Sequence, residues 1–177
     1  ATEIEPVWKR TQAFYGKPWI WNMLNNFGGN TNLFGRMETV AKAPAEALND
    51  TASGRLKGIG LTMEGIEQNP VMYELMMHHT WTNQPIDLKE WLPQYVRNRY
   101  GSNDKNALEA WQVLRNTVYS VPADKYKRDG AESIIQARPT FDSFTRWTKT
   151  KLNYEAKDLL SAWDAMIKAA DVCKNSE

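Results

Sequence analysis

The residue best suited to chemistry is Glu64, a carboxylate that directly follows a short run of strand-forming residues. It lies between Met63 and Gly65, and a glycine at such a position lets a ligand come close to the backbone. A carboxylate there can act as a nucleophile or as a general acid or base. A lone acid in a loop can also cap a helix or hold the loop by hydrogen bonds, so the residue type alone leaves both roles open.

A second candidate is the loop 25–30, which combines amide side chains with Phe27 and the pair Gly28-Gly29. Amides such as Asn26 both donate and accept hydrogen bonds, and glycines admit close backbone contact, so the loop suits a neutral polyhydroxylated ligand. The same residue types also form turns, and that alternative stays open. The glycine pair is no phosphate-binding loop, because the G-x-G-x-x-G pattern and a P-loop lysine are both missing.

Charge and residue usage argue against several other functions. The adjacent His78 and His79 would point about 100° apart on a helix, so they cannot form an i, i+4 metal pair. Lys and Arg total 22 against 21 Asp and Glu, a net charge of +1 that attracts neither nucleic acid nor an anionic membrane. No apolar run approaches the roughly 18 residues of a membrane span. The single cysteine, Cys173, excludes an intrachain disulfide.

Both candidate sites follow predicted strands. Residues 18–24 form a nearly continuous apolar run, typical of a strand buried on both faces, and residues 57–63 form the second strand. Helical patterns come after them: residues 33–48, where Pro44 should interrupt the helix, and a helix that starts at Asn69-Pro70, an N-cap followed by proline. Two units of strand, loop and helix predict a parallel α/β arrangement with function at the carboxyl ends of the strands.

The remaining elements are all predicted to be helical. An amphipathic helix opens the chain over 3–14, and Asp87 begins another with the spacing of a capping box. We interpret the Trp side chains at helical spacing as core rather than as sugar-stacking surfaces. We therefore predict an α/β part over 1–85 and an all-α part over 86–177. The last helix is predicted to bury a face made of Leu152, Ala156, Leu159, Trp163, Ile167 and Ala170.

The two strands and their loops carry long sequence motifs. The first is Pro18-Trp19-Ile20-Trp21-x-Met23-Leu24-x-Asn26-Phe27-Gly28-Gly29-Asn30, followed by Leu33-Phe34-Gly35. The second is Gly58-x-Gly60-x-x-Met63-Glu64-Gly65-Ile66-x-Gln68-Asn69, and weaker similarity continues through Arg99-Tyr100-Gly101, Ala110-Trp111 and Val118-Tyr119. In this order, the motifs resemble the α-N-acetylglucosaminidases of glycoside hydrolase family 89. One departure is Asn25, where several relatives carry His.

The resemblance implies a fold, an activity and roles for individual residues. The fold would be the last βα units of a (β/α)8-type barrel, incomplete as a barrel, followed by a helical region. The activity would be retaining hydrolysis of terminal α-linked N-acetylglucosamine, with Glu64 as the catalytic nucleophile. Leu24 and Phe27 match positions that line the pocket for the terminal sugar, beside Asn26 in the same loop. Since two carboxyl groups supply the chemistry, no metal or other cofactor is implied.

The resemblance also implies that the chain is part of a longer enzyme. A (β/α)8 barrel takes about 250 residues, and far fewer precede the helical half here. We expect the general acid upstream of Ala1. The expected partners are a carbohydrate with terminal α-N-acetylglucosamine and the remainder of the parent polypeptide, and the parent would be secreted, periplasmic or lysosomal. Exposed strand edges would favour self-association.

Two other functions remain open at this stage. A relative that binds the sugar without cleaving it would keep the pocket, although pure binding does not require a carboxylate such as Glu64. A helical interaction module would instead use residues 86–177 as its functional surface.

Overall fold

The computed structural model describes residues 6–25, 33–62, 69–121, 141, 144–145, 148–149 and 152–171. Strands and helices alternate in the first half, and helices dominate the second, so the chain is mixed α/β with a helical part, as predicted. The elements are α1 (Val7–Arg10), α2 (Gln12–Tyr15), β1 (Trp19–Met23), α3 (Met37–Asn49), a 3₁₀ turn (Thr51–Ser53), β2 (Leu56–Leu61), α4 (Pro70–His78), α5 (Leu88–Tyr100), α6 (Lys105–Asn116), β3 (Phe144–Thr145), β4 (Thr148–Lys149) and α7 (Ala156–Ala170).

β1 and β2 form a parallel pair, which confirms the predicted parallel arrangement for these two strands. Their register runs from Trp19 opposite Leu56 to Met23 opposite Leu61. Along β1, Trp19, Trp21 and Met23 are buried, whereas Ile20 between them is 51% exposed. The prediction of a strand buried on both faces was therefore wrong for the described residues. Ile20 is as apolar as its neighbours, so the continuous apolar run hid the alternation.

α3 continues through Pro44, so the predicted interruption was wrong. Proline lacks the amide that would donate to the carbonyl four residues earlier, which here is the Val40 carbonyl. The Nε2 of His79, at the end of α4, lies 2.8 Å from that oxygen and supplies the missing donor. The helix is thus supported by a side chain 35 residues after Pro44 in sequence, which local propensity cannot reveal.

The same contact predicts a pH-dependent stability. Burial lowers the pKa of His79, more than the Val40 contact raises it, because the charged form is poorly solvated there and the buried Nδ1 has no hydrogen-bond partner among the described residues. The unfolded chain therefore binds a proton more readily, and the free energy of unfolding should fall as the pH drops below about 6.5.

Urea unfolding between pH 7.5 and 5 checks this expectation. His79→Gln keeps an amide donor for Val40 without a titrating ring, so its stability should change less over that range than the wild type's. The control is His78→Gln, the same substitution at the neighbouring half-buried histidine. Equal pH dependence in the wild type and His79→Gln would contradict the assignment.

The first helix is not continuous, in contrast to the amphipathic helix predicted over 3–14, of which residues 1–5 lie outside the described part. α1 stops at Thr11, and Gln12 through Tyr15 have φ values of +48° to +56°, a left-handed turn. Such backbone costs roughly 1–2 kcal/mol per residue. In return, Trp8 stacks on Trp19 at a centroid distance of 5.7 Å and Phe14 contacts the same ring at 5.4 Å. Tertiary packing here outweighs local preference.

The helical part begins as predicted. The carboxylate of Asp87 accepts a hydrogen bond from the Lys89 amide at 2.8 Å, and α5 ends at Gly101, whose φ is +70°. Aromatic side chains fill the space between α5 and α6: Trp91 stacks on Tyr95, and Tyr95 meets the edge of Trp111 at 4.9 Å. These tryptophans are buried core residues, which confirms their interpretation as core.

The last helix buries a different face from the predicted one. α7 packs against α6 through Ala162, Ala165 and Ala169, whereas Trp163 is 65% exposed and Ile167 55% exposed. Small side chains allow close approach of two helices, so the larger apolar face is turned away. The short antiparallel pair β3 and β4 also corrects the prediction that the second half is entirely helical.

A hydrophobic core of described residues joins the two halves. It includes Trp21 and Met72 from the α/β part together with Leu92 and Val118 from the helical part. In the part of the chain that the structure describes, no helix has the length and apolarity required to cross a membrane.

Candidate active site

The carboxyl ends of β1 and β2 lie side by side, because the two strands are parallel and in register. Met23 is opposite Leu61, and the Thr62 amide donates to the Met23 carbonyl at 2.9 Å. Leu24 follows directly after β1, while position 64 comes two residues after Thr62 in sequence. The segments with the two candidate motifs therefore leave the sheet from the same edge.

One face of this sheet has two glycines on β2. Gly58 and Gly60 of β2 lie opposite Ile20 and Asn22 of β1. A Cβ added at Gly60 would come within 2.8 Å of Ile20 Cδ1 and 2.9 Å of Asn22 Oδ1, so the ends of these β1 side chains lie over the backbone of β2 at Gly60. The Asn22 amide also donates to the Thr62 hydroxyl, which ties the strand ends together on this face.

The structure describes only part of the predicted site. Leu24 is half-buried at the end of β1. Asn26, Phe27 and Glu64 lie outside the described residues, so their roles stay predictions.

Asn25 has a structural position rather than an exposed one. Its side chain is buried, and its Nδ2 donates to the Phe34 carbonyl at 3.2 Å. The amide at the start of the predicted binding loop thus fixes the chain where it leaves β1, by a bond to the segment that enters α3.

The sequence did not predict the role of Asn69. It precedes Pro70 at the start of α4, as predicted for an N-cap, but its side chain makes no capping bond. Instead, its Oδ1 accepts from the Phe34 amide at 3.2 Å and from the Tyr119 hydroxyl at 3.0 Å. The sequence signal was the Gln68-Asn69 end of the second motif, but nothing local indicated which side chains it would contact.

Gly35 explains why these groups can meet. A Cβ at this position would come within 2.6 Å of Met72 Sδ and 2.9 Å of Tyr119 Cδ1. The backbone between Phe34 and Arg36 therefore passes directly between α4 and the helical part. This close approach is a packing reason for glycine in the Leu33-Phe34-Gly35 motif.

Ionisable groups in the described part of the site are few. Burial raises the pKa of the Tyr119 hydroxyl well above its usual range, so it remains a hydrogen-bond donor at any physiological pH. Within the described ranges, no group of three or more His, Cys, Asp or Glu side chains could hold a metal ion. The described part of the site therefore offers neutral hydrogen-bonding groups at the strand ends.

Two family models match the chain along nearly its whole length. The model of the alpha-N-acetylglucosaminidase tim-barrel domain matches residues 1–83. The model of the alpha-N-acetylglucosaminidase C-terminal domain matches residues 91–177.

Individual relatives agree with these matches. Human alpha-N-acetylglucosaminidase is 34% identical over 169 residues, covering 95% of this chain and 22% of that protein. A family 89 glycoside hydrolase from Clostridium perfringens in complex with 2-acetamido-1,2-dideoxynojirmycin superposes with a TM-score of 0.88 at 37% identity, over 100% of this chain and 20% of that chain.

A variant of the Clostridium perfringens enzyme with two Glu→Gln substitutions, in complex with its substrate GlcNAc-alpha-1,4-galactose, has a TM-score of 0.87 at 36% identity. That match covers 99% of this chain and 20% of the other chain. The chain therefore spans about a fifth of the length of each of these relatives.

Proposed function

The chain belongs to the alpha-N-acetylglucosaminidase family, glycoside hydrolase family 89, and on that premise we propose that it is the nucleophile-bearing part of a retaining exo-glycosidase. The substrate is a glycan with terminal, non-reducing α-linked N-acetylglucosamine. The observation that carries the proposal is the convergence of two family motifs at one edge of a parallel sheet, where Leu24 and the segment with Glu64 leave adjacent strands.

Strand alternation supports the role of Glu64. Gly58 and Gly60 share the open face of the sheet with Ile20 and Asn22. Successive side chains of a strand point to opposite faces, and Asn22 on this face bonds the side chain of Thr62, two residues before Glu64 in sequence. In a barrel whose outer side is covered by helices, the uncovered face is the interior, and its carboxyl edge is where active sites of this fold lie.

The chemistry requires two carboxyl groups about 5–5.5 Å apart. Glu64 attacks the anomeric carbon, and a second carboxylic acid protonates the departing oxygen. We assign the second group to the remainder of the parent polypeptide. The Clostridium perfringens enzyme supports a pair of carboxylates, since two glutamates are replaced by glutamine in its complex with substrate.

The sugar pocket is proposed to include Leu24, Asn26 and Phe27. Leu24 lies at the end of β1, beside the open face. An apolar side chain and an aromatic ring suit the faces of a pyranose ring, while the Asn26 amide suits its hydroxyl or acetamido groups.

We further propose that residues 1–85 are the last βα units of a (β/α)8-type barrel and that residues 86–177 begin an all-α domain. β1 and β2 each then have an edge that other strands of the parent would cover. In the isolated chain, these edges favour self-association. The parent acts outside the cytoplasm, in keeping with a glycan substrate.

Hydrolysis of a chromogenic α-N-acetylglucosaminide, measured for the full-length parent and for this chain side by side, tests the proposal. We expect turnover in the parent and none in the isolated chain, because one of the two carboxyl groups is missing. Binding of the sugar by the parent without hydrolysis would contradict the enzyme and support a carbohydrate-binding relative. Turnover by the isolated chain would contradict the assignment of the general acid to the rest of the polypeptide.

A further inference from the structure

Four residues of the described chain form a buried network of hydrogen bonds. We call Asn25, Phe34, Asn69 and Tyr119 the strand-end network. Asn25 Nδ2 donates to the Phe34 carbonyl at 3.2 Å, and the Phe34 amide donates to Asn69 Oδ1 at 3.2 Å. The Tyr119 hydroxyl donates to the same Asn69 oxygen at 3.0 Å. All four residues are buried.

The network lies at the ends of the two segments with the site motifs. Asn25 directly precedes residues 26–32, and Asn69 directly follows residues 63–68, the segment that contains Glu64. Both are linked to the backbone of the same residue, Phe34, whose carbonyl accepts from Asn25 and whose amide donates to Asn69. Moving either segment end therefore breaks a buried hydrogen bond, which leaves a polar group without water.

The third connection comes from the helical part. The Tyr119 amide donates to the Leu114 carbonyl at 2.9 Å, and the Met37 amide donates to the Tyr119 carbonyl at 3.0 Å. The ring of Tyr119 stacks on Trp111 at a centroid distance of 6.3 Å. The Tyr119 hydroxyl is thus held by the core of the helical part and by the start of α3.

Asn69 does not cap α4, because its side-chain oxygen belongs to this network. At the N-cap position, an asparagine oxygen usually accepts from an amide of the first helical turn, but this oxygen accepts from Phe34 and Tyr119 instead. The side chain of Asn69 is therefore held by Phe34 and Tyr119 rather than by its own helix. The position of residue 69 thus depends on a side chain 50 residues later.

We propose that Tyr119 is a positioning residue for the reaction: through Asn69, the helical part fixes the end of the segment that carries Glu64. The inference rests on the proposed function. Reactions between held groups depend steeply on geometry, and a displacement of about 1 Å can lower the rate by about 10²-fold. The helical part then contributes to turnover without touching the sugar.

Kinetics of the full-length protein test this role. Tyr119→Phe removes the hydroxyl and keeps the ring. We expect kcat to fall at least about tenfold, with KM changed less than about twofold, because the geometry of attack is altered more than ground-state binding. The matched control is Tyr100→Phe, which deletes a hydroxyl that accepts from Trp111 Nε1 at 3.0 Å within the helical part. Its kcat should match the wild type.

A double-mutant cycle with Asn69→Ala separates positioning from general destabilisation. If Tyr119 acts through Asn69, then Tyr119→Phe has no further effect on kcat in the Asn69→Ala background. Thermal unfolding of every variant shows which ones are folded at the assay temperature. Should Tyr119→Phe be unfolded there, Asn69→Ala alone removes the acceptor of the Tyr119 hydroxyl and should give the same fall in kcat, with KM changed less than about twofold.

The outcomes distinguish this inference from the proposed function. No turnover by the wild-type parent would remove the proposed function and, with it, the catalytic role of Tyr119. An active wild type in which Tyr119→Phe behaves like Tyr100→Phe would overturn the positioning role alone. An equal loss from Tyr119→Phe with and without Asn69 would also overturn it.

Discussion

Glu64→Gln in the full-length protein is expected to lower turnover at least about 10³-fold, as removal of a covalent nucleophile does in other enzymes. The amide has nearly the shape of the carboxylate but does not attack the anomeric carbon. The fold should be unchanged, because the two side chains differ by one group. Hydrolysis of a chromogenic α-N-acetylglucosaminide measures the loss, and circular dichroism verifies the fold.

The control for this substitution is Glu74→Gln, since Glu74 is a partly exposed carboxylate on α4 that faces Arg99 at 3.8 Å. Its turnover should equal that of the wild type. Wild-type-like turnover of Glu64→Gln would overturn the nucleophile assignment.

Chemical rescue tests the retaining mechanism itself. Glu64→Gly removes the proposed nucleophile, and azide can take its place. Azide then attacks the anomeric carbon from the side of the sugar opposite the departing oxygen of an α-linked substrate. The expected product is the β-glycosyl azide, identified by its anomeric proton in NMR. An α-glycosyl azide, or no response to azide, would contradict a nucleophile at this position.

The sequence was sufficient where local pattern and tertiary packing agree. Both strands were predicted close to their observed bounds, and the helix starts at Pro70 and after Asp87 were confirmed by the structure. The proline at the first position of α4 and the Asp87 cap of α5 act within one helical turn, so these two signals did not depend on distant residues. Gly101, whose φ is positive, ends α5 in the same local way.

The sequence was insufficient where a distant residue decides the outcome. Pro44 stays inside α3 because His79 supplies a donor to Val40, and the left-handed turn after Thr11 is stabilised by contacts with Trp19. The exposed side of α7 follows from alanine packing on α6, so Trp163 is turned outward although its spacing predicted burial. Periodicity identifies apolar faces but does not say which of two faces meets the core.

In the candidate site, too, local sequence predicted some features and distant residues decided others. The motifs placed its residues after the strands, yet the strand-end network could not be predicted, because the partners of Asn69 lie 35 residues before it and 50 residues after it. Such a network requires the fold to be known first. Its residues position the site rather than form it, and residue type alone did not single them out.

Trp21→Ala is expected to lower the free energy of unfolding of the chain by about 3–5 kcal/mol, the range found when a large buried aromatic side chain is truncated. Trp21 is 1% exposed and lies on the helix-facing side of β1, so the substitution leaves a cavity between the sheet and the core. The matched control is Trp81→Ala, at a tryptophan that is 87% exposed, where we expect a change within about 0.5 kcal/mol.

Urea unfolding followed by circular dichroism measures both, since the loss of a tryptophan would complicate a fluorescence signal. The contrast between the two variants matters more than either value, because it compares the same chemical change with and without burial. A small effect at Trp21, equal to that at Trp81, would mean that β1 does not pack on the helices through this face. The uncovered face with Ile20, Gly58 and Gly60 would then lose its assignment as the barrel interior, and the support that strand alternation gives to Glu64 would fall with it.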